Sequence, residues 1–396
     1  MNQNDPIVIV AAARTPLGAF QGALSGLTAP QLGTVALQAT LQRGGIDPEL
    51  VDEVIMGCVL TAGLGQAPAR QAALGAGLPY GTACSTISKV CGSGMKAVML
   101  AHDALALGNG RVILAGGMES MSNAPYLLPK ARGGLRLGHG QMLDHMFLDG
   151  LEDAYTADTK GQLMGQFAEL CASEFKFSRE DQDAFAIEST MRAQKAIEQG
   201  AFAWEVEPVV GEGRNQALDH DEQPPKAQLD KIPKLKPAFR KDGTVTAANA
   251  SSISDGAAAL LMMRASTAAE LGLKPVAKLL AHATHAQEPK WFTTAPEGAA
   301  RKVLAKVGWQ TQDVDLWEIN EAFAVVTMAT MQALELPHER VNVHGGACAL
   351  GHPIGASGAR ILVTLLGALR QKGLQRGVAT LCIGGGEATA VAIELI

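Results

Sequence analysis

Hydrophobic and polar positions along the chain follow two patterns, short apolar runs and stretches with helical periodicity. Apolar runs stand at residues 7–10, 112–115 and 378–382. Amphipathic helical stretches separate such runs throughout the chain, which is the pattern of a parallel or mixed sheet with helices on both faces. The pattern therefore predicts an α/β protein.

The same pattern repeats weakly between two parts of the chain. Residues 91–119 predict a helix, then the buried strand at 112–115, followed by Gly-Gly-Met-Glu at 116–119. Residues 352–387 predict the same order and end in Gly-Gly-Gly-Glu at 384–387. The shared order of helix, buried strand, glycines and glutamate indicates an internal duplication.

Residues 121–248 interrupt this alternation. The segment contains seven prolines, few apolar runs and one clear helical stretch at 178–199. Ser178, with Asp181 three residues later, is typical of a helix N-cap, so this helix is interpreted as scaffold. The composition predicts an inserted subdomain.

Cys91 is the first candidate for chemistry. It follows β-favouring residues and opens the run Cys-Gly-Ser-Gly at 91–94, just before a helical stretch. A thiol at a helix N-terminus faces unpaired backbone N–H groups and the positive end of the helix dipole, which favours the thiolate. Gly92 and Gly94 leave room for a large substrate to approach the sulfur.

Three further segments carry reactive side chains at glycine-rich ends of elements. They are Asn-Glu-Ala-Phe at 320–323, Gly-His-Pro-Ile-Gly at 351–355 and Cys-Ile-Gly-Gly-Gly at 382–386. Each is weak evidence alone, because a single histidine or a glycine triplet usually belongs to an ordinary loop. Together, two thiols, an imidazole and an amide supply the parts of a thiol-based acyl-transfer centre.

Composition and charge exclude several classes of function. With 396 residues, 47% of them hydrophobic and 18% charged, the chain can bury the cores of two or three domains. A formal net charge of −6 argues against nucleic acid as a partner. Six cysteines without a CxxC pair predict no disulfide framework, and nine histidines without ligand spacing predict no metal site.

From the sequence we expect neither a leader nor a membrane span. Residues 1–6 lack a basic region followed by an apolar run, and no apolar stretch reaches membrane-spanning length. We therefore expect a soluble protein in a reducing, cytoplasmic setting, with no membrane partner.

The four segments, in this order, resemble the thiolase family, the CoA-dependent enzymes that make or cleave 3-oxoacyl-CoA. The similarity covers essentially the whole chain and includes the runs at 116–122 and 244–251. It implies an α/β fold of two duplicated βαβαβαββ halves that form a five-layer α-β-α-β-α core, with an inserted loop domain. The expected divisions are an N-terminal half at 1–120, a CoA-binding loop domain at 121–248, a return to the first half at 249–270 and a C-terminal half at 271–396.

The resemblance also implies a role for each reactive group. Cys91 is the nucleophile that carries the acyl group as a thioester. His352 is the base that activates it and part of the oxyanion hole for the enolate, where Asn320 holds a water molecule. Cys382 is the acid/base at the α-carbon. The backbone N–H of Gly384, with that of Cys91, binds the tetrahedral oxyanion.

The implied reaction is a reversible Claisen condensation of acetyl-CoA with acyl-CoA, or the thiolytic cleavage of 3-oxoacyl-CoA, by a ping-pong mechanism. Acetoacetyl-CoA is the first-choice substrate. Coenzyme A enters as substrate or product, no cofactor is bound permanently, and a homotetramer built as a dimer of dimers is expected.

Contacts to CoA are expected in the loop domain and around the site. The basic run at 226–241, in an otherwise acidic chain, is the natural place for the CoA phosphates. The residues expected to contact substrate or CoA are Ser251, Phe239, Ala247, Ile253, Lys226, Lys231, Leu151, Met164, Ala322 and Phe323.

The chain departs from the family pattern in two places that bear on substrate choice. Leu163 stands where short-chain members usually carry a histidine, so the pocket lining is more apolar and could admit longer acyl chains. Ala324 follows Phe323 where the potassium-activated mitochondrial type has proline, so that type is not indicated.

Several alternatives stay open at this stage. One is a broad-chain 3-ketoacyl-CoA thiolase of fatty-acid or aromatic degradation. A second is a non-catalytic acyl-CoA carrier, which would be expected to lack at least one of the four reactive groups. A ketoacyl synthase is a further alternative, but these enzymes generally lack a second cysteine equivalent to Cys382. A thiol redox protein that pairs Cys91 with Cys382 is another, but it would leave Asn320 without a purpose.

Overall fold

The structure is a computed structural model that describes residues 5–211 and 217–396. Residues 1–4, part of the segment that argued against a leader, lie outside the described residues. Within the described residues, no helix combines the length and the hydropathy needed to cross a membrane.

The described residues form mixed helices and strands in the predicted α/β alternation. The α-helices are α1 Ala29–Gly44, α2 Pro68–Gly75, α3 Ser93–Leu107, α4 Met164–Phe175, α5 Arg179–Glu198, α6 Ala265–Glu270, α7 Ala295–Val307, α8 Ala324–Leu334, α9 Ala347–Leu350 and α10 Ile354–Lys372. The long strands are β1 Ile7–Arg14, β3 Glu53–Gly57, β4 Ala83–Ile87, β5 Val112–Ser120, β10 Ser254–Arg264, β11 Ala277–Ala286, β12 Leu316–Ile319, β13 Arg376–Ile383 and β14 Glu387–Leu395. The two-residue strands are β2 Gly18–Ala19, β6 Tyr126–Leu127, β7 Leu143–Asp144, β8 Val209–Val210 and β9 Ala217–Leu218, and one π-helical turn spans Phe147–Leu151.

The long strands form two half-sheets that confirm the predicted duplicated fold. The first half has the order β4-β3-β5-β10-β1, and the second continues as β11-β14-β13-β12. The halves meet where β1 runs antiparallel to β11, with Val8 and Ile9 opposite Lys278 and Ala277. Helices α1 and α2 cover one outer face, α7 covers the other, and α3 and α10 fill the layer between the half-sheets.

The central layer depends on close approach of α3 to α10. A methyl group on Gly94 of α3 would lie 2.9 Å from the backbone nitrogen of Ala359 and 3.0 Å from the carbonyl oxygen of Gly355. Both neighbours are backbone atoms of α10, so they cannot move aside as a flexible side chain could. Glycine at 94 therefore fixes the distance between the N-terminal ends of the two helices.

Gly116 and Gly117 are crowded by neighbouring backbone. Both lie inside β5, whereas Gly384 to Gly386 form the turn between β13 and β14. A methyl group on Gly116 would collide with the carbonyl of Ala258 in the neighbouring strand β10, and one on Gly117 would collide with that of Gly355 in α10. The glycines at 116 and 117 are thus required by the close approach of β10 and α10 to β5.

The segment between β5 and β10 carries α4, α5 and the two-residue strands β6 to β9. The predicted cap is present, because the Ser178 hydroxyl accepts a hydrogen bond of 3.0 Å from the backbone N–H of Asp181. Helix α5 packs against α8 and α9, and α4 packs against α8, so this segment rests on the C-terminal half beside the predicted site.

Gly94→Ala should lower the free energy of unfolding by about 1–3 kcal/mol, the usual cost of overpacking a rigid core. Gly81→Ala is the matched control, because a methyl group there meets nothing within 4 Å and the backbone is not left-handed. Denaturant unfolding of both variants measures the difference. Equal midpoints for the two variants would show that the α3–α10 contact yields without cost.

Candidate active site

A cavity of about 200 Å³ brings together residues that are far apart in the sequence. Cys91, His352, Cys382 and Gly384 all line it. The predicted contact residues that also line it are Ser251, Phe239, Ile253, Leu151, Met164, Ala322 and Phe323. A larger open cleft of about 590 Å³ is lined by charged residues such as Glu188, Arg192 and Lys372 and contains none of the reactive groups. The smaller, apolar cavity is therefore the candidate active site.

Cys91 lies in a tight turn between β4 and α3. Val90, just before it, has a φ of 45°, a left-handed conformation that is strained for a β-branched residue. Ser93 holds the turn, since its hydroxyl accepts from the Lys89 backbone N–H at 2.8 Å and donates to the Val90 carbonyl at 2.6 Å. Ser93, the first residue of α3, thus stabilises the strained conformation of Val90. The resulting turn fixes the position of the Cys91 thiol.

The environment of Cys91 favours the neutral thiol. Burial raises its pKa to about 11, although the backbone N–H groups of Gly384 and of Cys91 itself act in the opposite direction. From the sequence we expect the helix end to favour the thiolate, but removal of the thiol from water outweighs those backbone groups.

His352 is buried and neutral. Burial, and then the charge of Arg360, lower its pKa to about 3. The Ser357 hydroxyl donates to the Pro353 carbonyl at 2.9 Å, so it can accept from His352 Nδ1–H at 2.6 Å. This assignment leaves Nε2 unprotonated, and the amide nitrogen of Asn320 lies 3.5 Å from it. His352 can therefore take a proton at Nε2 on the cavity side.

Asn320 is oriented by the buried pair of Arg360 and Glu318, which was not predicted from the sequence. Arg360 reaches the Asn320 side-chain oxygen at 3.5 Å and lies 3.6 Å from the carboxylate of Glu318. Burial raises the pKa of Glu318 to about 8. A guanidinium can only donate, so it holds the amide oxygen of Asn320 and turns the amide nitrogen towards His352.

Cys382 lies at the end of β13 and is almost completely buried. Burial, and then the nearby sulfur of Cys91, raise the pKa of its thiol well above the ordinary value. The two thiols are therefore close enough to influence each other electrostatically. Gly384 follows in the β13–β14 turn, where its carbonyl oxygen accepts from the Tyr155 hydroxyl at 3.5 Å.

Three predicted contact residues lie outside the cavity lining: Ala247, Lys226 and Lys231. All three are exposed, and the Lys226 ammonium pairs with Glu222 at 2.7 Å. The basic run forms 3₁₀ turns on the surface, because its prolines exclude a regular helix.

Further residues around the cavity were not predicted. Phe147 and Phe292 line it, and so does Leu163, which the sequence singled out only as a departure from the family. Glu119 is buried beneath the site and accepts from the backbone N–H groups of Val59 and Gly355 at 3.0 and 2.9 Å. Burial raises the pKa of Glu119 to about 7. A glutamate after a glycine pair gives no sequence signal for such a role.

Glu321 has a structural role. Its buried carboxylate accepts from Ser189 at 2.7 Å, from Asn342 at 2.8 Å and from the backbone N–H of Cys348 at 3.1 Å. These bonds tie α5 and α9 to the loop that carries Asn320. The carboxylate of Glu321 therefore orients its neighbours through hydrogen bonds.

Comparison with known proteins identifies the family. The family model described as "Thiolase, N-terminal domain" matches residues 7–266, and that described as "Thiolase, C-terminal domain" matches residues 273–395. Acetyl-CoA acetyltransferase 1 of Arabidopsis thaliana is 52% identical over 98% of this chain and 94% of its own. Acetyl-CoA acetyltransferase of Pseudomonas aeruginosa is 49% identical over 98% of each chain.

Solved structures agree with this assignment. The crystal structure of Acat5 thiolase from Ascaris suum in complex with coenzyme A has a TM-score of 0.93 and 43% identity, covering 99% of this chain and 100% of that one. The acetyl-CoA acetyltransferase of Bacillus anthracis has a TM-score of 0.95 and 42% identity over 99% of each chain.

The rate of Cys91 alkylation by iodoacetamide in the substrate-free protein should keep rising with pH through pH 9. The thiolate is the nucleophile, and with a pKa of about 11 its fraction grows about tenfold per pH unit below that value. Modification of Cys91 is followed by peptide mass spectrometry, with Cys91→Ser as the blank. A plateau below pH 8 would mean that the helix end and the backbone N–H groups outweigh burial after all.

Proposed function

This chain belongs to the thiolase family and is an acyl-CoA acyltransferase, and we propose that it interconverts two acetyl-CoA with acetoacetyl-CoA and CoA through a thioester on Cys91. The observation that carries the proposal is the convergence of Cys91, His352, Cys382 and Gly384 on one apolar cavity. A non-catalytic carrier would have no need of two thiols, a base and a backbone donor at one point.

The first half-reaction acylates Cys91. His352 Nε2 takes the proton of the Cys91 thiol, and the sulfur attacks the carbonyl carbon of acetyl-CoA. The backbone N–H groups of Cys91 and Gly384 bind the resulting oxyanion. The C–S bond to CoA then breaks, and the proton held by His352 goes to the departing CoA thiolate. Acetyl-Cys91 and free CoA result.

The second half-reaction forms the carbon–carbon bond. Cys382 first gives its thiol proton to His352 Nε2 and, as thiolate, removes a proton from the methyl carbon of a second acetyl-CoA. The enolate oxygen is stabilised by the protonated His352 and by a water molecule held by Asn320. The enolate carbon attacks the acetyl thioester, the bond to the Cys91 sulfur breaks, and acetoacetyl-CoA leaves. The proton on His352 passes to the Cys91 sulfur, and the proton taken from the substrate stays on Cys382, so the enzyme ends as it began.

The pKa shifts that burial causes at His352 and Cys91 are compatible with these proton transfers. Before substrate binds, the proton rests on the Cys91 sulfur, because the pKa of His352 is about 3 and that of Cys91 about 11. Transfer to the imidazole becomes favourable only when a bound carbonyl takes up the negative charge. A thioester to Cys91 is close in energy to the thioester of CoA, so the acyl enzyme is no deep trap.

The dimensions and lining of the cavity favour a short acyl chain. A volume of about 200 Å³ must hold the reacting acyl groups and the end of the pantetheine arm. Phe147, Leu163 and Phe292 occupy its walls, so a longer chain would have to displace a large side chain. The geometry thus supports acetoacetyl-CoA over the broad-chain alternative, even though Leu163 makes the lining more apolar.

CoA itself is proposed to lie along the loop domain. Ser251 and Phe239 line the cavity and would contact the pantetheine arm, with Ala247 further out. Lys226 and Lys231 would bind the phosphates at the surface, and for this Lys226 would exchange its pairing with Glu222 for a phosphate oxygen.

The proposal extends to the assembly and setting of the enzyme. A homotetramer is supported by the exposed apolar side chains of Tyr126, Leu128, Leu137 and Met142, which all belong to the segment after β5. The domain divisions at 120, 248 and 270, the cytoplasmic location and a role in lipid metabolism are part of the same proposal.

Asn320→Ala should lower kcat for condensation about 10²–10³-fold, the usual loss for one oxyanion-hole donor. Acetyl exchange between acetyl-CoA and labelled CoA should change far less, because that half-reaction forms no enolate. Thermal unfolding checks that the variant is folded. Equal losses in both assays would assign Asn320 a general positioning role instead.

Thiolysis should be fastest with acetoacetyl-CoA and should fall about tenfold or more with 3-oxohexanoyl-CoA, since poor accommodation of added methylenes costs about 1–3 kcal/mol. The panel runs to 3-oxodecanoyl-CoA, is followed by loss of the enolate absorbance, and has Cys91→Ser as the inactive control. Comparable rates along the panel would favour the broad-chain thiolase. Absence of turnover by the wild type would favour the carrier.

A further inference from the structure

Helix α3 and strand β11 bring together a cluster of three side chains away from the acyl pocket. His102 and Asp103 lie near the C-terminal end of α3, about 14 Å along the helix from its start beside Cys91. His282 comes from β11 of the other half of the chain. The ligand atoms of these three residues all lie within 4.8 Å of one another.

A β-bulge aims His282 at α3. The register of β11 against β14 shifts between Leu279 and Ala281. Before the shift, Ala277 and Leu279 pack in the central core with α3, and after it Ala281 packs in the outer core with α7. Regular alternation would place His282 on the outer face of β11. The bulge places it on the central face, towards α3, and bulges commonly redirect side chains in this way.

The distances match a metal-ligand set. Asp103 Oδ1 lies 3.3 Å from His102 Nδ1 and 2.8 Å from His282 Nε2. Ligands about 2.0–2.1 Å from a tetrahedral Zn²⁺ are separated by roughly 3.3 Å, so small rotations of these side chains would seat an ion between them. His102 is buried, His282 is nearly so, and Asp103 is half-exposed, which leaves an approach from solvent.

The charges around the cluster favour ligation by neutral imidazole. Burial lowers the pKa of both His102 and His282, so neither competes with a cation by carrying a proton. Asp103 supplies one negative charge. Lys306 and Lys96 face the cluster and oppose a cation. Lys306 is partly occupied, because its ammonium donates to the His282 carbonyl at 2.7 Å.

We propose that His102, Asp103 and His282 form a binding site for one borderline divalent cation of the Zn²⁺ class. On binding, the proton on each ligating nitrogen moves to the other nitrogen of its ring, so both imidazoles stay neutral. The ion clamps the central helix of the first half to the edge of the second half-sheet. This site is independent of the acyl-transfer chemistry. Spacing along the sequence could not reveal it, because 179 residues separate Asp103 from His282.

The test is calorimetric titration of the full chain with ZnCl₂ in a Cys91→Ser background, which removes the reactive thiol from competition. We expect one Zn²⁺ per chain and a rise in Tm. His102→Gln and His282→Gln should each weaken binding at least tenfold and abolish the rise in Tm. His220→Gln is the matched control, because His220 pairs with Asp219 at 2.6 Å without belonging to the three-residue group and should leave binding unchanged.

A second measurement uses Co²⁺ in place of Zn²⁺ and records its absorption spectrum. Nitrogen and oxygen ligands give d–d bands without a thiolate charge-transfer band, which is the expected result. The proposal is overturned if no stoichiometric binding occurs, if His102→Gln and His282→Gln bind as tightly as the parent, or if a charge-transfer band reveals coordination by Cys382 or another thiol.

Discussion

The close contact between the N-terminal ends of α3 and α10 is the constraint on which the site depends. Cys91 stands immediately before α3, and His352 immediately before α10. Because Gly94 and Gly358 carry no side chains, the two helix ends approach to backbone contact. Cys91 from the first half and His352 from the second are thereby brought to one cavity.

Burial of the two thiols and of His352 costs free energy, which the polar groups around them offset. Removal from water raises the pKa of both thiols and lowers that of His352, so each group rests in its neutral form. A pocket removed from water stabilises neutral groups over charged ones. In the proposed reaction, proton transfer is therefore driven by the charge that develops on the substrate. The polar contacts around Ser357, Asn320 and Arg360 keep the imidazole in one orientation, which a solvated histidine would not hold.

The fold and the side chains that face the cavity could be predicted from the sequence, because the glycine-rich ends of helices and strands have recognisable local sequence patterns. The sequence could not reveal Arg360, Glu318 or Glu119, since their roles arise from partners that are distant in the chain. A helix end near Cys91 is visible in the sequence, but desolvation is not, because it depends on everything packed around the thiol. Nor does a sequence distinguish a glycine that bends the chain from one that is crowded, as Gly116 and Gly117 are.

Among the residues that the structure describes, the two half-sheets pair through two residue pairs, between β1 and β11. The halves are therefore held in register mainly by the central helices, where α10 packs against α3 and against β5 and β10 of the first half. This has a consequence for the history of the chain. Recombination between homologues could exchange one entire half without cutting a sheet, provided that the small residues of both central helices were inherited together. Selection on such chimaeras would act on the glycines at 94 and 358 before it acted on the reactive groups themselves.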